Sequence, residues 1–118
     1  MHALVIEPQV YTSLTIEDAL RDAGFTSVTL ATTEQEAIAA AEAERPDLIT
    51  SAVELASGNG IAAVKRICSN LDAPVLFITE KVADVNREVP GMPVVRKPFR
   101  FADLQGAICE AQAASTPE

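Results

Sequence analysis

The stretch that decides the fold is RPDLITSAVELASGNG, residues 45–60. Pro46 ends the segment before it, and the apolar run over 47–52 predicts a short strand. The small residues and two glycines of 53–60 predict a loop that leaves the carboxyl end of that strand. In an alternating α/β chain such a loop carries the chemistry, yet this strand ends on Ala52, whose side chain has none.

The bulk properties exclude several classes of protein. The 118 residues are enough for one domain with a buried core, and the net charge is −8 at pH 7. An acidic surface repels phosphate backbones, so we expect no direct nucleic-acid binding. No apolar run approaches the roughly 20 residues of a membrane helix, and no signal-peptide pattern begins the chain. We therefore predict a cytoplasmic protein that does not bind membranes, with Cys68 and Cys109 as reduced thiols.

Short apolar runs alternate with amphipathic segments along the chain, which predicts a parallel sheet covered on both faces by right-handed crossovers. The predicted strands are 3–6, 27–31, 47–52, 75–79 and 94–97, and the predicted helices are 10–23, 33–44, 59–71, 80–89 and 101–112. The fold class is thus α/β, a flavodoxin-like (βα)5 three-layer sandwich with strand order 2-1-3-4-5. Residues 80–89 could form one short fourth helix, because Pro90, Gly91 and Pro93 break the chain after it. We expect one domain over 1–112 and a frayed tail over 113–118.

In this strand order the carboxyl ends of strands one, three, four and five converge on one rim. They carry Glu7, Ala52, Thr79 and Lys97. An acid, a hydroxyl and an ammonium on one rim suit an anion held by a cation. A nucleophile, and a second carboxylate that could hold a metal, are missing from this set.

Four motifs in this order resemble the receiver domain of two-component response regulators. The resemblance covers essentially the whole chain and is strong because the spacings of all four agree. The motifs are DALRDAGF at Asp18–Phe25, PDLI at Pro46–Ile49, PVLFIT at Pro74–Thr79 and VVRKPF at Val94–Phe99. The resemblance implies a signalling domain of the phosphorelay type, which is not an enzyme.

Some family positions keep the expected residue. By resemblance, Thr79 matches the hydroxyl that contacts the phosphoryl group, and Lys97 matches the lysine that pairs with it. The Lys97–Pro98 peptide matches one that the family usually holds in the cis form, and Phe99 follows as an apolar anchor. Glu7 matches the first of two adjacent acids that hold Mg²⁺.

Other family positions are changed. Pro8 stands where the second acid belongs, and Ala52 stands where the phospho-accepting aspartate belongs. Val94 stands where an aromatic switch residue is common. The interval from Thr79 to Lys97 is also short for the family, which again predicts a reduced fourth helix.

These changes predict a site that cannot be phosphorylated. Alanine has no nucleophile, and Glu54 is the one nearby carboxylate whose loop could fold it back as a stand-in. Glu7 alone is a poor Mg²⁺ site, so no cofactor is expected unless the site still functions. With fewer partners left for Lys97, we predict a direct Glu7–Lys97 ion pair.

Three functions are compatible with these observations. The first is a degenerate pseudo-receiver, a phosphorylation-independent interaction module for a signalling protein such as a histidine kinase, a phosphotransfer protein or another regulator, with a homodimer also possible. The second is a working phospho-switch whose aspartate was deliberately changed to Ala52, which a second loss at Pro8 does not favour. The third is a small flavin- or nucleotide-binding enzyme of the same fold. For the first, the predicted partner face is Val82, Val85, Val89, Met92 and Val94, unless these residues are simply core.

Overall fold

The computed structural model describes the backbone of residues 1–115 and the side chains of residues 1–113. Within that part of the chain, strands and helices alternate strictly. The strands are β1 (His2–Ile6), β2 (Ser27–Ala31), β3 (Leu48–Ser51), β4 (Val75–Thr79) and β5 (Val94–Arg96). The helices are α1 (Val10–Asp22), α2 (Glu34–Ala43), α3 (Gly60–Cys68), α4 (Val82–Glu88) and α5 (Phe101–Ser115). No helix among the described residues has the length and apolar character needed to cross a membrane.

The five strands form one parallel sheet in the order β2-β1-β3-β4-β5, which confirms the predicted flavodoxin-like topology. Ile6 lies opposite Ser51, and Thr79 lies opposite Arg96. Because the strands are parallel, the residues that follow their carboxyl ends meet along one edge of the sheet. The register thus places the predicted rim residues on neighbouring strand ends.

Both faces of the sheet are buried, which explains why its strands are apolar runs without alternation. On one face, Ile6, Ile49 and Phe77 belong to a cluster that α2, α3 and α4 cover. On the other face, Val5 and Leu76 belong to a second cluster, which α1 and α5 cover. The sheet is therefore a rigid platform for the loops at its carboxyl edge.

The structure corrects two predicted helix ends. Helix α3 ends at Cys68, three residues before its predicted end. Helix α5 continues to Ser115, three residues past its predicted end, so residues 113–115 of the predicted tail are helical. Alanines at 113 and 114 favour this continuation because alanine has the highest helix propensity. The rest of the predicted tail, 116–118, lies outside the described residues. Leu14 of α1 is 48% exposed although it is apolar.

Helix α4 is short, as predicted, with only seven residues. It is followed by the turn that contains Gly91, whose positive φ of 89° suits glycine. A helix of two turns covers little of the sheet.

Thr33 and Glu36 match the T-x-x-E pattern of a capping box, but only the Thr33 half of that box is formed at the start of α2. Thr33 Oγ1 accepts from the Glu36 backbone N–H at 3.1 Å. The Glu36 carboxylate reaches one residue further back than a capping box requires and accepts from the backbone N–H and the hydroxyl of Thr32, at 2.8 and 2.9 Å. These hydrogen bonds to the charged form lower the pKa of Glu36.

The loop after β3 is fixed by close backbone packing. A Cβ on Gly60 would lie 1.7 Å from the carbonyl oxygen of Ala52, so only glycine fits at the start of α3. The Asn59 side chain caps the same helix by accepting from the N–H groups of Ile61 and Ala62, at 2.7 and 3.2 Å. Position 52 is therefore held firmly between β3 and α3.

Candidate functional site

A cleft of about 670 Å³ opens at the carboxyl edge of the sheet. Loops that follow β1, β3, β4 and β5 supply its walls, so it lies where open α/β sheets bind ligands. The side chains predicted for the rim line it together. They are Glu7, Pro8, Ala52, Glu54, Thr79, Lys97, Pro98 and Phe99, joined by Lys81.

Glu7 and Lys97 form a direct ion pair across this cleft. Lys97 Nζ donates to Glu7 Oε1 at 2.8 Å, while the backbone N–H of Gln9 donates to Glu7 Oε2 at 3.1 Å. The side chain of Glu7 is 1% exposed and that of Lys97 is 21% exposed. The ion pair that the sequence predicted is therefore present, and both carboxylate oxygens of Glu7 have partners.

Thr79 uses its hydroxyl oxygen within its own loop. Thr79 is buried, and its Oγ1 accepts from the backbone N–H of Lys81 at 2.9 Å. Its carbonyl oxygen accepts from the backbone N–H of Lys97 at 3.0 Å. The residue fixes the chain between β4 and α4 and ties it to the end of β5.

Glu54 is turned outward and bound to a different cation. Its side chain is 74% exposed, and its Oε1 lies 3.2 Å from Lys81 Nζ. The hydrogen bond and the charge of Glu54 raise the pKa of Lys81. This contact links the loops after β3 and β4, although an exposed pair of this kind contributes little stability. Glu54, the possible stand-in for the acceptor, thus forms an exposed ion pair with Lys81.

Position 52 offers no nucleophile. Ala52 is 5% exposed, and its backbone N–H donates to the carbonyl oxygen of Ile6 at 2.8 Å. The neighbouring Ser51 is buried, and its hydroxyl donates to the carbonyl oxygen of Ala52 at 2.8 Å. The centre of the cleft is therefore a methyl group where a phosphoryl acceptor would need a carboxylate.

The donor set does not fit Mg²⁺. This ion prefers near-octahedral oxygen ligands and usually one or two carboxylates. Glu7 is bound to Lys97, Glu54 is bound to Lys81, and Pro8 and Ala52 supply no side-chain oxygen. Among the described residues no group of three His, Cys, Asp or Glu side chains is placed to hold a metal ion.

Comparison with known proteins decides the family. The model of the response regulator receiver domain matches residues 3–109. This chain belongs to the receiver domain family. The fold, the strand order and the position of the cleft all agree with that membership.

The receiver is similar to regulators of known name. It is 31% identical over 113 residues to the phyllosphere-induced regulator PhyR of Methylorubrum extorquens. The aligned region covers 92% of this chain and 42% of that protein. It is 30% identical over 109 residues to the transcriptional regulatory protein PdtaR of Mycobacterium tuberculosis. The aligned region covers 89% of this chain and 53% of that protein. The chain therefore spans about half the length of the curated relatives it matches.

Solved structures support the same fold. The solution structure of the PhyR receiver domain of Erythrobacter litoralis has a TM-score of 0.83 and 31% identity, with 99% of this chain and 94% of that chain covered. The response regulator PhyR of Brucella abortus has a TM-score of 0.83 and 28% identity, with 96% of this chain and 48% of that chain covered. The chemotaxis protein CheY4 of Vibrio cholerae, at 23% identity and a TM-score of 0.80 over 93% of this chain and 97% of that chain, shows the fold alone.

Two further features of the receiver agree with the family pattern. The Lys97–Pro98 peptide is cis, as the resemblance implies. Phe99 is half-buried and packs against the cluster under α1 and α5.

The predicted partner face of the receiver is not an exposed apolar patch. Val85 is fully buried, and Val89, Met92 and Val94 are half-buried and pack against the core. Val82 is half-buried as well. Val85 is the buried residue of α4, and Val89, Met92 and Val94 pack around the cluster to which it belongs. This set is therefore mainly core.

The receiver instead exposes apolar side chains on α1, which the sequence reasoning missed. Val10 is 70% exposed, Tyr11 is 88% exposed and Leu14 is 48% exposed. They lie on the first turns of α1, beside the cleft-lining residues Gln9 and Thr12. The sequence carried a usable signal, because positions i, i+1 and i+4 fall opposite the buried line of Ile16, Ala19 and Leu20.

Proposed function

We propose that this receiver acts in signalling without being phosphorylated, as a protein interaction module. The observation that carries the proposal is the 2.8 Å ion pair between Glu7 and Lys97 in a cleft whose central residue is Ala52. The family pattern uses the cation and the acid for a phosphoryl group and a metal ion. Here each is bound to the other, and the acceptor position has no carboxylate.

The proposed partner is another signalling protein: a histidine kinase, a phosphotransfer protein or another regulator. Support comes from the exposed apolar side chains on α1, since large apolar residues in the open are typical of interaction surfaces. The proposal includes no direct nucleic-acid contact, because the net charge of −8 opposes it. It also includes no enzymatic activity and a cytoplasmic location, with which the two unpaired cysteines agree. Measuring the oligomeric state in solution would show whether the chain also pairs with a second copy of itself.

The alternative of a phospho-switch disabled at one position has weaker support. It explains Ala52 but gives no reason for Pro8 at the second acid position. The alternative of a flavin-binding enzyme has little support from the cleft. Phe99 is the one aromatic side chain among its described lining residues, and it packs into the core.

The test is chemical phosphorylation with acetyl phosphate and Mg²⁺, read by intact mass. We expect no phosphoryl adduct on the natural chain. A variant that carries both Pro8→Asp and Ala52→Asp restores the second acid and the acceptor, and we expect it to gain one adduct. The single variant Ala52→Asp restores the acceptor alone. Comparing it with the double variant separates the effect of the acceptor from that of the second acid.

The contrary result is an adduct on the natural chain. If Glu54→Gln then removed that adduct, Glu54 would be the acceptor and the proposal would be wrong. Glu80→Gln is a matched control, because Glu80 also lines the cleft and is exposed. It should leave the result unchanged in either case.

A further inference from the structure

The outer edge of β5 has unpaired backbone groups. Among the described strands β5 pairs only with β4. The carbonyl oxygen of Pro93 accepts from Phe77, and the N–H of Lys97 donates to Thr79, each at 3.0 Å. Because successive residues of a strand point their backbone groups to opposite edges, the N–H and C=O groups of Val94 and Arg96 face away from the sheet. No described residue forms a hydrogen bond to them.

A groove runs between this edge and α5. Its volume is about 480 Å³. Three of the α5 residues that line it are small, namely Ala102, Gly106 and Ala107. A Cβ built on Gly106 would have no heavy atom within 4 Å, so the space above this glycine is open. The groove therefore has room for side chains of a strand laid against β5.

The same groove carries unpaired negative charge. Asp103 and Glu110 line it, both are exposed, and neither forms an ion pair with any described residue. Arg96 is the one cation among the described lining residues. With the net charge of −8 on the chain, this surface favours an occupant with basic side chains.

We propose that the open edge of β5 binds an extended segment of a partner protein in which apolar and basic residues alternate. Backbone hydrogen bonds to Val94 and Arg96 would add it to the sheet as a sixth strand, and every second side chain would face α5. Basic side chains on that face pair with Asp103 and Glu110. This inference rests on the proposed function in that it names a partner chemistry for the interaction module.

The geometry favours this occupant over two others. A helix has its backbone groups bonded internally and leaves those of β5 unpaired. A second copy of the chain brings another charge of −8 to a surface that already has unpaired carboxylates. An extended basic segment satisfies both the backbone groups and the charge.

The test is an amide NMR titration of the full chain with a capped hexapeptide of alternating valine and lysine. We expect saturable shifts confined to residues 94–96 and 102–110. A hexapeptide of alternating valine and glutamate should bind at least about tenfold more weakly, because its charges repel the groove. N-methylation of the peptide amides that face β5 should abolish binding, whereas N-methylation of the amides that face away should not.

Variants with matched controls locate the site. Gly106→Leu fills the groove and should weaken binding at least about tenfold, whereas Ala113→Leu, on the exposed part of α5 outside the groove, should not. Reversing Asp103 and Glu110 to lysine should have a similar effect. Reversing the exposed Asp18 and Glu42 to lysine changes the net charge by the same amount as reversing Asp103 and Glu110. This control should leave binding nearly unchanged.

Several results would overturn the inference. Equal binding of the lysine and glutamate peptides would remove the charge argument. Binding that survives N-methylation on both edges would exclude strand addition. Shifts at β5 that grow with protein concentration in the absence of peptide would show that a second copy occupies the edge. The phosphorylation test is independent of the peptide, so failure of this inference and failure of the proposed function can be told apart.

Discussion

The Lys97 ammonium donates to the Glu7 carboxylate at 2.8 Å, between side chains 90 positions apart in the chain. The contact joins the end of β1 to the end of β5 across the carboxyl edge of the sheet. It uses the cation that the family pattern assigns to a phosphoryl group and the acid that it assigns to a metal. The two charged groups of the cleft are thus bound to each other, and this pair should contribute to the stability of the fold.

Lys97→Met is expected to lower the free energy of unfolding by about 3–5 kcal/mol, because it leaves the buried Glu7 carboxylate without its cation. The double variant Glu7→Leu/Lys97→Met removes both charges and should be more stable than Lys97→Met alone. Urea denaturation followed by circular dichroism measures both. As a control, Arg21→Met breaks the more exposed Glu17–Arg21 pair and should change stability by only about 0.5 kcal/mol. Equal losses for Lys97→Met and Arg21→Met would contradict the account.

Two glycine-to-alanine changes should have opposite effects. Gly60→Ala places a Cβ 1.7 Å from the Ala52 carbonyl oxygen and should destabilise the fold by about 3 kcal/mol. Gly106→Ala meets open space inside α5 and should stabilise it by about 0.5–1 kcal/mol through helix propensity. Thermal unfolding of both variants checks this. A tolerated Gly60→Ala would mean that the loop after β3 is looser than the structure shows.

The start of α2 should loosen in acid. The pKa of Glu36 is lowered by its bonds to Thr32, so its stabilising contribution is complete above the ordinary value of 4.5. That contribution is lost as the pH falls through the lowered value. The protection factor of the Thr32 amide, which is the intrinsic exchange rate divided by the observed rate at the same pH, should therefore fall below about pH 4.5. In Glu36→Gln this additional pH dependence should disappear; its persistence would assign the effect to another group.

The exposed apolar residues of α1 should be dispensable for folding. Tyr11→Ser is expected to change the free energy of unfolding by at most about 0.5 kcal/mol, since the side chain is 88% exposed. Ile16→Ala, on the buried side of the same helix, should cost about 2–5 kcal/mol. Tyr11 is the one tyrosine of a chain without tryptophan, so acrylamide quenching of its fluorescence reports its exposure directly. Weak quenching would show that another surface covers it.

The sequence was sufficient for the fold because its signals agree with each other. Solid apolar runs mark strands buried on both faces, and Pro46 marks the end of the segment before β3. The rim was predictable for the same reason, since strand order fixes which strand ends are neighbours. The contact of Glu7 with Lys97 followed once the other charges of the family site were seen to be absent.

The remaining features depend on packing that periodicity does not resolve. The valines of α4 match an exposed stripe as well as a buried one, and in the structure Val85 is buried whereas Val82 is partly exposed. Leu14 is apolar, but Ser13 takes the place beside Ile16 in the buried face, where its hydroxyl donates to the carbonyl oxygen of Val10 at 2.8 Å. The reach of Glu36 to Thr32 likewise depends on side-chain geometry that a capping pattern leaves open.

The most direct test of the central claim is an amide NMR titration with Mg²⁺ and beryllofluoride, which mimics an aspartyl phosphate. The account predicts no saturable shifts at Glu7, Thr79 or Lys97 in the natural chain, and clear shifts there in the Pro8→Asp/Ala52→Asp variant. Saturable shifts at these residues in the natural chain would show that a phosphoryl-like anion still binds, and would contradict a receiver that works without phosphorylation.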